Sequence, residues 1–184
     1  MLDNLSPPYD VVLADPPWSY YGAGDKWGAA AKFYPTMATA EMADLPVRDL
    51  LADRAVVLVW TTSAKLPDAL ELLAAWKLAY RGIAFVWVKT TRAGVPIGAQ
   101  GVRPSITKPL TELVVAGSTL ARGRPLPLAS ESVCQTVFAP KAEHSRKPDA
   151  VQDRIEAMYP TARKLELFAR RRRTGWDAWG DEVA

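Results

Sequence analysis

Four consecutive residues near the start of the chain, Asp15-Pro16-Pro17-Trp18, bring together groups that can hold an aromatic amine. The lone pair of such an amine is delocalised into its ring, which makes it a poor nucleophile. The Asp15 carboxylate and the Pro16 carbonyl can accept its two N–H bonds, and those bonds strengthen as positive charge develops on the nitrogen. The motif therefore predicts chemistry at the exocyclic amino group of a base that is flipped out or unpaired.

The two prolines and Trp18 are expected to prepare this site in different ways. Proline fixes φ, so the Pro16 carbonyl is aimed before a ligand binds. Trp18 offers a flat face on which a base can stack, a contact worth about 1–3 kcal/mol. The alternative interpretation is structural, namely a proline-rich strand exit with a capping Asp15 and a packed Trp18. The position of the motif at the end of a strand favours the chemical interpretation.

Short apolar runs separated by helical patterns follow the motif along the chain. The run over residues 9–14 predicts a buried strand that ends directly before Asp15. Further strands are predicted over residues 55–60, 83–89, 112–116, 133–138 and 164–169, and helices over residues 46–52, over 67–80 and from Pro148 onward. Strands that are nearly all apolar and alternate with helices predict an α/β fold, with a mostly parallel sheet covered by helices on both faces.

The carboxyl ends of the strands are where such sheets bind their ligands. The residues that follow Ala14, Trp60, Lys89 and Phe168 are therefore expected at one edge of the sheet. Two long segments without helical periodicity, residues 19–37 and 91–109, are expected to be functional loops.

The composition is that of an ordinary globular protein of 184 residues, with 49% hydrophobic residues and a formal net charge of +3. It predicts one cytoplasmic domain over residues 1–184, without a membrane span, a secretion signal or a separate target-recognition domain. The single Cys134, expected in a buried strand, and the single His144 argue against a disulfide framework and a cysteine- or histidine-based metal site. The run from Arg170 to Arg173 indicates either a solvated surface segment or a contact to phosphate.

Six segments in a fixed order give the chain a resemblance to a known family over nearly its whole length. They are VVLADPPW (residues 11–18), YPTM (34–37), WVKT (87–90), Glu112 ahead of VVAG (114–117), HSRKPD (144–149) and RKLELFAR (163–170), the last followed by WGDE (179–182). On these segments the chain resembles the adenine N6-methyltransferases named after the seventy-kilodalton subunit of the messenger-RNA adenosine methyltransferase, the MT-A family. The resemblance implies a Rossmann-like, S-adenosylmethionine-dependent methyltransferase fold with a permuted motif order.

The same resemblance implies roles for individual residues. The catalytic residues would be Asp15, Pro16, Pro17 and Trp18, with no metal. The residues that bind S-adenosylmethionine would be Asp15, Ser145, Lys147, Arg170, Arg173, Asp181 and Glu182, with Lys147 on the cofactor carboxylate. The residues that bind the substrate base would be Trp18, Tyr20, Tyr34 and Lys89. Arg146, Arg171-Arg172 and Asp181 depart from the pattern of the messenger-RNA enzyme, which leaves the ribose contacts open.

Three hypotheses about function remain at this point. The first is methyl transfer from S-adenosylmethionine to the N6 amino group of adenine in DNA, favoured by the small, lean chain. The second keeps the reaction with RNA as substrate. The third is a catalytically silent, nucleic-acid-binding partner of an active methyltransferase, and Asp15 argues against it because silent relatives usually lose this carboxylate. A homo- or heterodimer is compatible with all three.

Two further sets of residues keep two interpretations each. Glu112 either orients an active-site loop or is a plain charge at a strand edge. Trp176 and Trp179 either form walls of the cofactor pocket or simply pack in the core.

Overall fold

The structure, a computed structural model, describes residues 2, 4–19, 36–98, 106–141 and 146–183. The strands in these ranges are β1 (Tyr9–Ala14), β2 (Leu51–Thr61), β3 (Ala79–Thr90), β4 (Thr111–Ser118), β5 (Thr136–Pro140), β6 (Lys164–Leu167) and β7 (Trp176–Trp179). The helices are α1 (Thr39–Ala43), α2 (Leu66–Ala75) and α3 (Asp149–Met158), and two 3-10 turns cover Val47–Leu50 and Ser63–Lys65. None of the helices in the described ranges is long and apolar enough to cross a membrane.

The strands form one sheet in the order β5-β3-β4-β2-β1-β6-β7. Only β4 runs against its neighbours β2 and β3, and the other neighbouring pairs are parallel. The predicted α/β fold with a mostly parallel sheet is therefore confirmed. Because β1, β2, β3 and β6 run in the same direction, their carboxyl ends share one edge of the sheet, and the antiparallel β4 begins at that edge. We call this edge the rim.

The two faces of the sheet carry separate hydrophobic layers because side chains alternate along a strand. On β1, Val12 packs in the layer that contains α1 and α2, whereas Val11 and Leu13 pack in the layer that contains α3. Complete burial of a Val or Leu side chain contributes about 1.5–3 kcal/mol. Burial on both faces therefore fixes β1, and with it the position at which Asp15 leaves the sheet.

The helix predicted over residues 67–80 forms but ends earlier, at Ala75. Its first turn contains Pro67, and its buried side chains include Leu72 and Leu73. Lys77 then adopts a left-handed φ of 57°, and the Leu78 N–H returns to the Leu73 carbonyl at 2.8 Å, as in a helix stop of the Schellman type. The apolar pattern beyond Ala75 belongs to the turn and to β3 instead.

Other boundaries also differ from the sequence prediction. The helix predicted over residues 46–52 is a single 3-10 turn, because Leu51 already pairs with Tyr9 in the sheet. Neither α1 nor β7 was predicted. With five and four residues respectively, both are too short for a hydrophobic period to appear in the sequence.

The prediction that Cys134 lies in a buried strand is wrong. β5 begins only at Thr136, and Cys134 is exposed. The Arg154 guanidinium donates to the carbonyls of Cys134 and Thr136 at 2.6 and 2.8 Å. Arg154 of α3 thus fixes the chain where β5 begins.

Candidate active site

Four charged side chains from different elements meet at the rim. Asp15 follows β1, Lys147 lies just before α3, Glu112 is in β4 and Lys89 is in β3. Lys147 Nζ lies 2.8 and 2.9 Å from the two carboxylate oxygens of Asp15 and 3.5 Å from Glu112 Oε2. Glu112 Oε1 lies 2.5 Å from Lys89 Nζ. We call these four side chains the rim cluster, which joins all four elements through alternating charges.

The rim cluster is largely withdrawn from water, since its side chains are between 14% and 21% exposed. Burial raises the pKa of Asp15 above its ordinary value, although the Lys147 ammonium acts in the opposite direction. Burial alone would lower the pKa of Lys147, but the Asp15 and Glu112 carboxylates raise it above its ordinary value. Lys147 therefore stays protonated, and Asp15 is an unusually basic carboxylate.

Glu112 resolves one interpretation that the sequence left open. Burial would raise its pKa, but Lys147 and Lys89 together lower it below the ordinary value. Glu112 is thus an ionised, buried partner of two lysines and not a plain charge at a strand edge. The sequence alone could not find this contact, because it depends on β4 beginning at the rim.

Tryptophans pack beneath the rim cluster. Lys147 Nζ lies 5.6 Å from the centre of the Trp60 ring, and Lys89 Nζ lies 5.0 Å from that of Trp87. The two rings meet edge to face with their centres 6.2 Å apart. Ammonium groups at these distances from an indole are attracted by its electrons. These two tryptophans therefore support the lysines from below.

The stacking role expected of Trp18 is contradicted by the structure. Trp18 is only 5% exposed and belongs to the hydrophobic layer with α1 and α2. Its indole N–H donates to the Trp60 carbonyl at 3.0 Å. A ring buried in this way has no free face for a base. Trp18 instead anchors the end of β1 to β2, which is the packed tryptophan of the structural alternative.

The prolines of the motif connect it to the chain around it. The Pro16 carbonyl accepts the Trp18 backbone N–H at 2.9 Å, and the Pro17 carbonyl accepts the Met37 N–H at 3.0 Å. A carbonyl oxygen has a second lone pair, so an additional donor can still bind at Pro16. Its role toward a substrate amine stays a prediction.

A cleft of about 100 Å³ extends from Asp15 along the tips of β6 and β7. Its lining comprises Asp15, Pro17, Met37, Phe168, Ala169, Arg170, Trp179, Gly180, Asp181 and Glu182. The Phe168 and Trp179 rings meet edge to face with their centres 5.5 Å apart. The cleft thus unites Asp15 with three of the predicted cofactor residues, Arg170, Asp181 and Glu182. Trp179, which the sequence left between pocket wall and packing, lines it as well.

Tight backbone packing brings Asp181 and Glu182 to this cleft. Phe168 turns the chain out of β6 with a left-handed φ of 60°. A Cβ atom added at Gly180 would lie 2.3 Å from the Ala169 carbonyl oxygen. Only glycine therefore allows the chain after β7 to approach the end of β6 so closely, and Asp181 follows directly.

Arg173 does not lie among the residues that line the cleft. Its guanidinium donates to Glu156 at 2.7 and 3.0 Å and to Asp153 at 2.6 Å, both on α3. The Trp176 indole N–H donates to the same Glu156 at 2.7 Å. The cofactor role that the resemblance implies for Arg173 therefore gives way to a structural one, which attaches the chain before β7 to α3.

The other arginines of the run also have contacts within the chain. Arg171 pairs with Asp149, and Arg172 donates to the Val183 carbonyl at 2.8 Å. Arg170 lies 3.8 Å from Glu182 across the cleft. The run is therefore not a plain solvated segment, because Arg171 and Arg173 contact α3 whereas Arg170 and Arg172 contact the chain after β7.

Several predicted residues are not brought into this site by the described structure. Tyr20, Tyr34 and Ser145 lie outside the described residues. Lys89 belongs to the rim cluster, but its contact to a substrate stays a prediction.

Glu166 is a buried carboxylate that was not singled out from the sequence. Burial, with Asp15 acting in the same direction, raises the pKa of Glu166 to about 7. A carboxylate inside the otherwise mostly apolar run 164–169 is the sequence feature that could have indicated this residue.

The donor set at the rim suits a ligand with different chemistry at its two ends. Lys147 and Asp15 offer a cation and an anion side by side, which complements a zwitterionic amino-acid group. Asp181 and Glu182 can accept hydrogen bonds from ribose hydroxyls, and Phe168 and Trp179 add aromatic surface to the same cleft. S-Adenosylmethionine carries a zwitterionic amino-acid group, ribose hydroxyls and a flat base, so the residues present fit it.

Comparison with known proteins also points to a methyltransferase. The MT-A70 family pattern matches residues 9–182. The type II methyltransferase M.MunI of Mycoplasma sp is 32% identical and aligns with 95% of this chain and 78% of its own length. The N6-methyladenosine RNA methyltransferase MTA1 of Pyricularia oryzae is 30% identical and aligns with 100% of this chain and 49% of its own length. The human N(6)-adenine-specific methyltransferase METTL4 is 25% identical and aligns with 98% of this chain and 38% of its own length. The chain thus spans about half or less of the last two relatives.

Proposed function

This chain belongs to the MT-A70 family, and on that premise we propose that it transfers a methyl group from S-adenosylmethionine to the N6 amino group of adenine in DNA. The observation that carries the proposal is the position of Asp15. Its carboxylate leaves the end of β1 in contact with Lys147 and lines the cleft that also contains Asp181 and Glu182. One carboxylate can therefore face a cofactor and a substrate amine together.

Cofactor binding is assigned to both ends of the cleft. The Lys147 ammonium would hold the cofactor carboxylate, and the Asp15 carboxylate would accept from its amino group. Asp181 and Glu182 would accept hydrogen bonds from the ribose hydroxyls. Bound there, S-adenosylmethionine supplies a methyl group that its sulfonium makes electrophilic.

Asp15 and Pro16 would activate the acceptor. Both accept N–H bonds from the adenine amine, and these bonds localise the nitrogen lone pair toward the methyl carbon. Positive charge would develop on the nitrogen as it takes up the methyl group that the sulfonium releases, so both hydrogen bonds would strengthen toward the transition state. The burial of Asp15 increases this effect, because water competes less for its carboxylate.

The excess proton leaves only after the methyl group has moved. The free amine is too weak an acid to lose a proton before attack, whereas the methylated, cationic nitrogen is a strong acid. Asp15, whose pKa burial raises above the ordinary value, would accept that proton and pass it to water. Asp15 is therefore an acceptor of hydrogen bonds first and of a proton second.

The choice of DNA rests on how the relatives align. The type II methyltransferase is matched over 78% of its length, whereas the relative named as an RNA methyltransferase is matched over 49%. RNA is the second candidate because that name specifies it. A cytoplasmic protein with one methyltransferase domain, acting alone or as a dimer, completes the proposal.

Transfer of a radiolabelled methyl group tests this function. The protein is incubated with labelled S-adenosylmethionine and with DNA or RNA oligonucleotides of the same sequence, single- and double-stranded. We expect label in DNA above that in RNA, and none with Asp15→Ala. Higher incorporation into RNA would reverse the substrate assignment. Incorporation into neither by a folded protein would favour the silent partner subunit.

A further inference from the structure

A second and larger cavity, of about 490 Å³, lies far from Asp15 along the sheet. It is on the α3 face, toward the amino ends of β2 and β3 and the carboxyl end of β4. Small side chains form its floor, including Ala84, Ala116 and Ser118, and Phe85 and Tyr159 form part of its walls. Its volume falls in the range of about 300–1,000 Å³ that small-molecule sites occupy.

The roof of this cavity is residues 119–135, which we call the strap. Arginine side chains hold the strap through its backbone carbonyls, in addition to the packing of Leu126 and Val133 against the core. Arg54 donates to the carbonyls of Arg124 and Pro125 at 2.8 and 2.9 Å, Arg81 to those of Leu120 and Gly123 at 3.1 and 2.5 Å, and Arg154 to that of Cys134 at 2.6 Å. The small side chains of the floor do not fill the space below it. The cavity is therefore formed before any ligand binds.

The charged side chains that line the cavity have one sign. Its lining contains Arg81 and Arg124, and no acidic residue among the described residues. Arg81 donates to carbonyls, which are neutral, so its charge is not compensated there. Arg124 pairs with Glu131 at 2.9 Å, but the two side chains are 56% and 71% exposed, and such exposed pairs are weak. Arg124 also acts electrostatically on Tyr159.

We propose that this cavity binds a small aromatic molecule that carries one anionic group. The apolar walls, with Phe85 and Tyr159, suit the aromatic body. The guanidinium groups of Arg81, in β3, and Arg124, on the strap, suit the anion, since charge-assisted hydrogen bonds to arginine are among the stronger ones. The site is separate from the methyl-transfer cleft, and the proposal does not rest on the function assigned to that cleft.

The probe for this site is 8-anilinonaphthalene-1-sulfonate, an aromatic anion whose fluorescence rises in apolar surroundings. Titrated against the full chain, it is expected to bind at one site per chain. Arg124→Gln should weaken binding by about tenfold, because the charge is lost while the backbone of the strap is retained. Arg122→Gln is the matched control, since Arg122 lies on the same strap and does not line the cavity, and its affinity should stay within about twofold.

Two further measurements locate the site and its charge preference. Val133→Trp fills the cavity and should abolish binding. If its circular dichroism shows that it does not fold, Leu128→Trp on the strap replaces it. The uncharged analogue N-phenyl-1-naphthylamine should bind the wild type about tenfold more weakly. The proposal is overturned if the wild type does not bind the anion at one site, if filling the cavity leaves binding intact, if both probes bind equally, or if Arg122→Gln weakens binding as much as Arg124→Gln.

Discussion

Two clusters of charged side chains near α3 differ in how far they are withdrawn from water. The rim cluster joins Asp15, Lys147, Glu112 and Lys89, none of them more than 21% exposed. In the second cluster Arg173 binds Glu156 and Asp153, which are 36% and 61% exposed. Burial makes an unpaired charge expensive, so removing one member of the rim cluster affects all the others. Exposed pairs contribute little and mainly fix the position of a chain segment.

The largest effect is expected at the centre of the rim cluster. Asp15→Asn keeps the shape of the side chain but replaces one acceptor oxygen by a donor. The single-turnover rate of methyl transfer should fall by about 10²–10³-fold, the usual consequence of losing one group that stabilises transition-state charge. Circular dichroism should show an intact fold. A rate within fivefold of the wild type would remove Asp15 from the mechanism.

The second-largest effect is expected for Lys147→Met, which should weaken cofactor binding. The variant keeps the aliphatic stem but leaves the Asp15 and Glu112 carboxylates without their shared cation. Affinity for S-adenosylhomocysteine, measured by calorimetry, should fall by about 30-fold, equivalent to about 2 kcal/mol. The exposed Lys141→Met is the control and should bind as the wild type does. Equal affinities in both variants would separate Lys147 from cofactor binding.

The same variant should change the pH profile of kcat/KM. The active form of Asp15 is the carboxylate, so activity is lost as the pH falls through the pKa of Asp15. Burial raises that pKa in the wild type and Lys147 opposes the rise. Without Lys147 the acid limb should therefore move to higher pH. An unchanged limb would mean that Asp15 does not control it.

Glu166 tests the region between the two clusters, since Asp15 and Arg173 both act on it. Its folded pKa of about 7 exceeds the ordinary 4.5, so the wild type loses stability as the pH rises from about 4.5 to 7. Glu166→Gln keeps an acceptor for Gln152, which bonds Glu166 at 2.8 Å, and does not ionise. By urea denaturation the variant should be about 1–2 kcal/mol more stable than the wild type at pH 8, allowing for screening, with the difference nearly gone at pH 5. A difference that does not depend on pH would contradict the raised pKa.

The smallest functional effect is expected in the exposed cluster. Arg173→Gln should lower the free energy of unfolding by about 1 kcal/mol, because it removes charged hydrogen bonds to α3. Affinity for S-adenosylhomocysteine should change by less than about twofold. Cofactor binding weakened by tenfold in a stable variant would restore the cofactor role for Arg173 and erase the contrast between the clusters.

The sequence predicts local features of this protein better than contacts between distant strands. β1 was predicted with both of its bounds, because the run 9–14 is apolar apart from Asp10 and prolines follow it closely. The start of α3 was predicted from Pro148, because proline is common at the beginning of a helix. The contact between Glu112 and Lys147 depends on β4 running against its neighbours, and no local pattern in residues 111–118 indicates strand direction.

Trp18 and Arg173 are two residues whose roles were wrongly predicted because their contacts to distant parts of the chain could not be predicted. Both were assigned to ligands because of the motifs that contain them. Their partners, the Trp60 carbonyl and the α3 carboxylates, come from distant parts of the chain. A motif specifies which residue types occur together, whereas packing decides which of them stay available to a ligand.

The identity of the methylated atom tests the central claim most directly. DNA is incubated with the protein and S-adenosylmethionine, digested to nucleosides and analysed by mass spectrometry against synthetic standards. The account predicts N6-methyldeoxyadenosine with the wild type and, after the same short reaction time, about 10²–10³-fold less with Asp15→Asn. A methyl group on the N4 atom of cytosine or on a ring nitrogen, or N6-methyldeoxyadenosine formed equally well by Asp15→Asn, would contradict it.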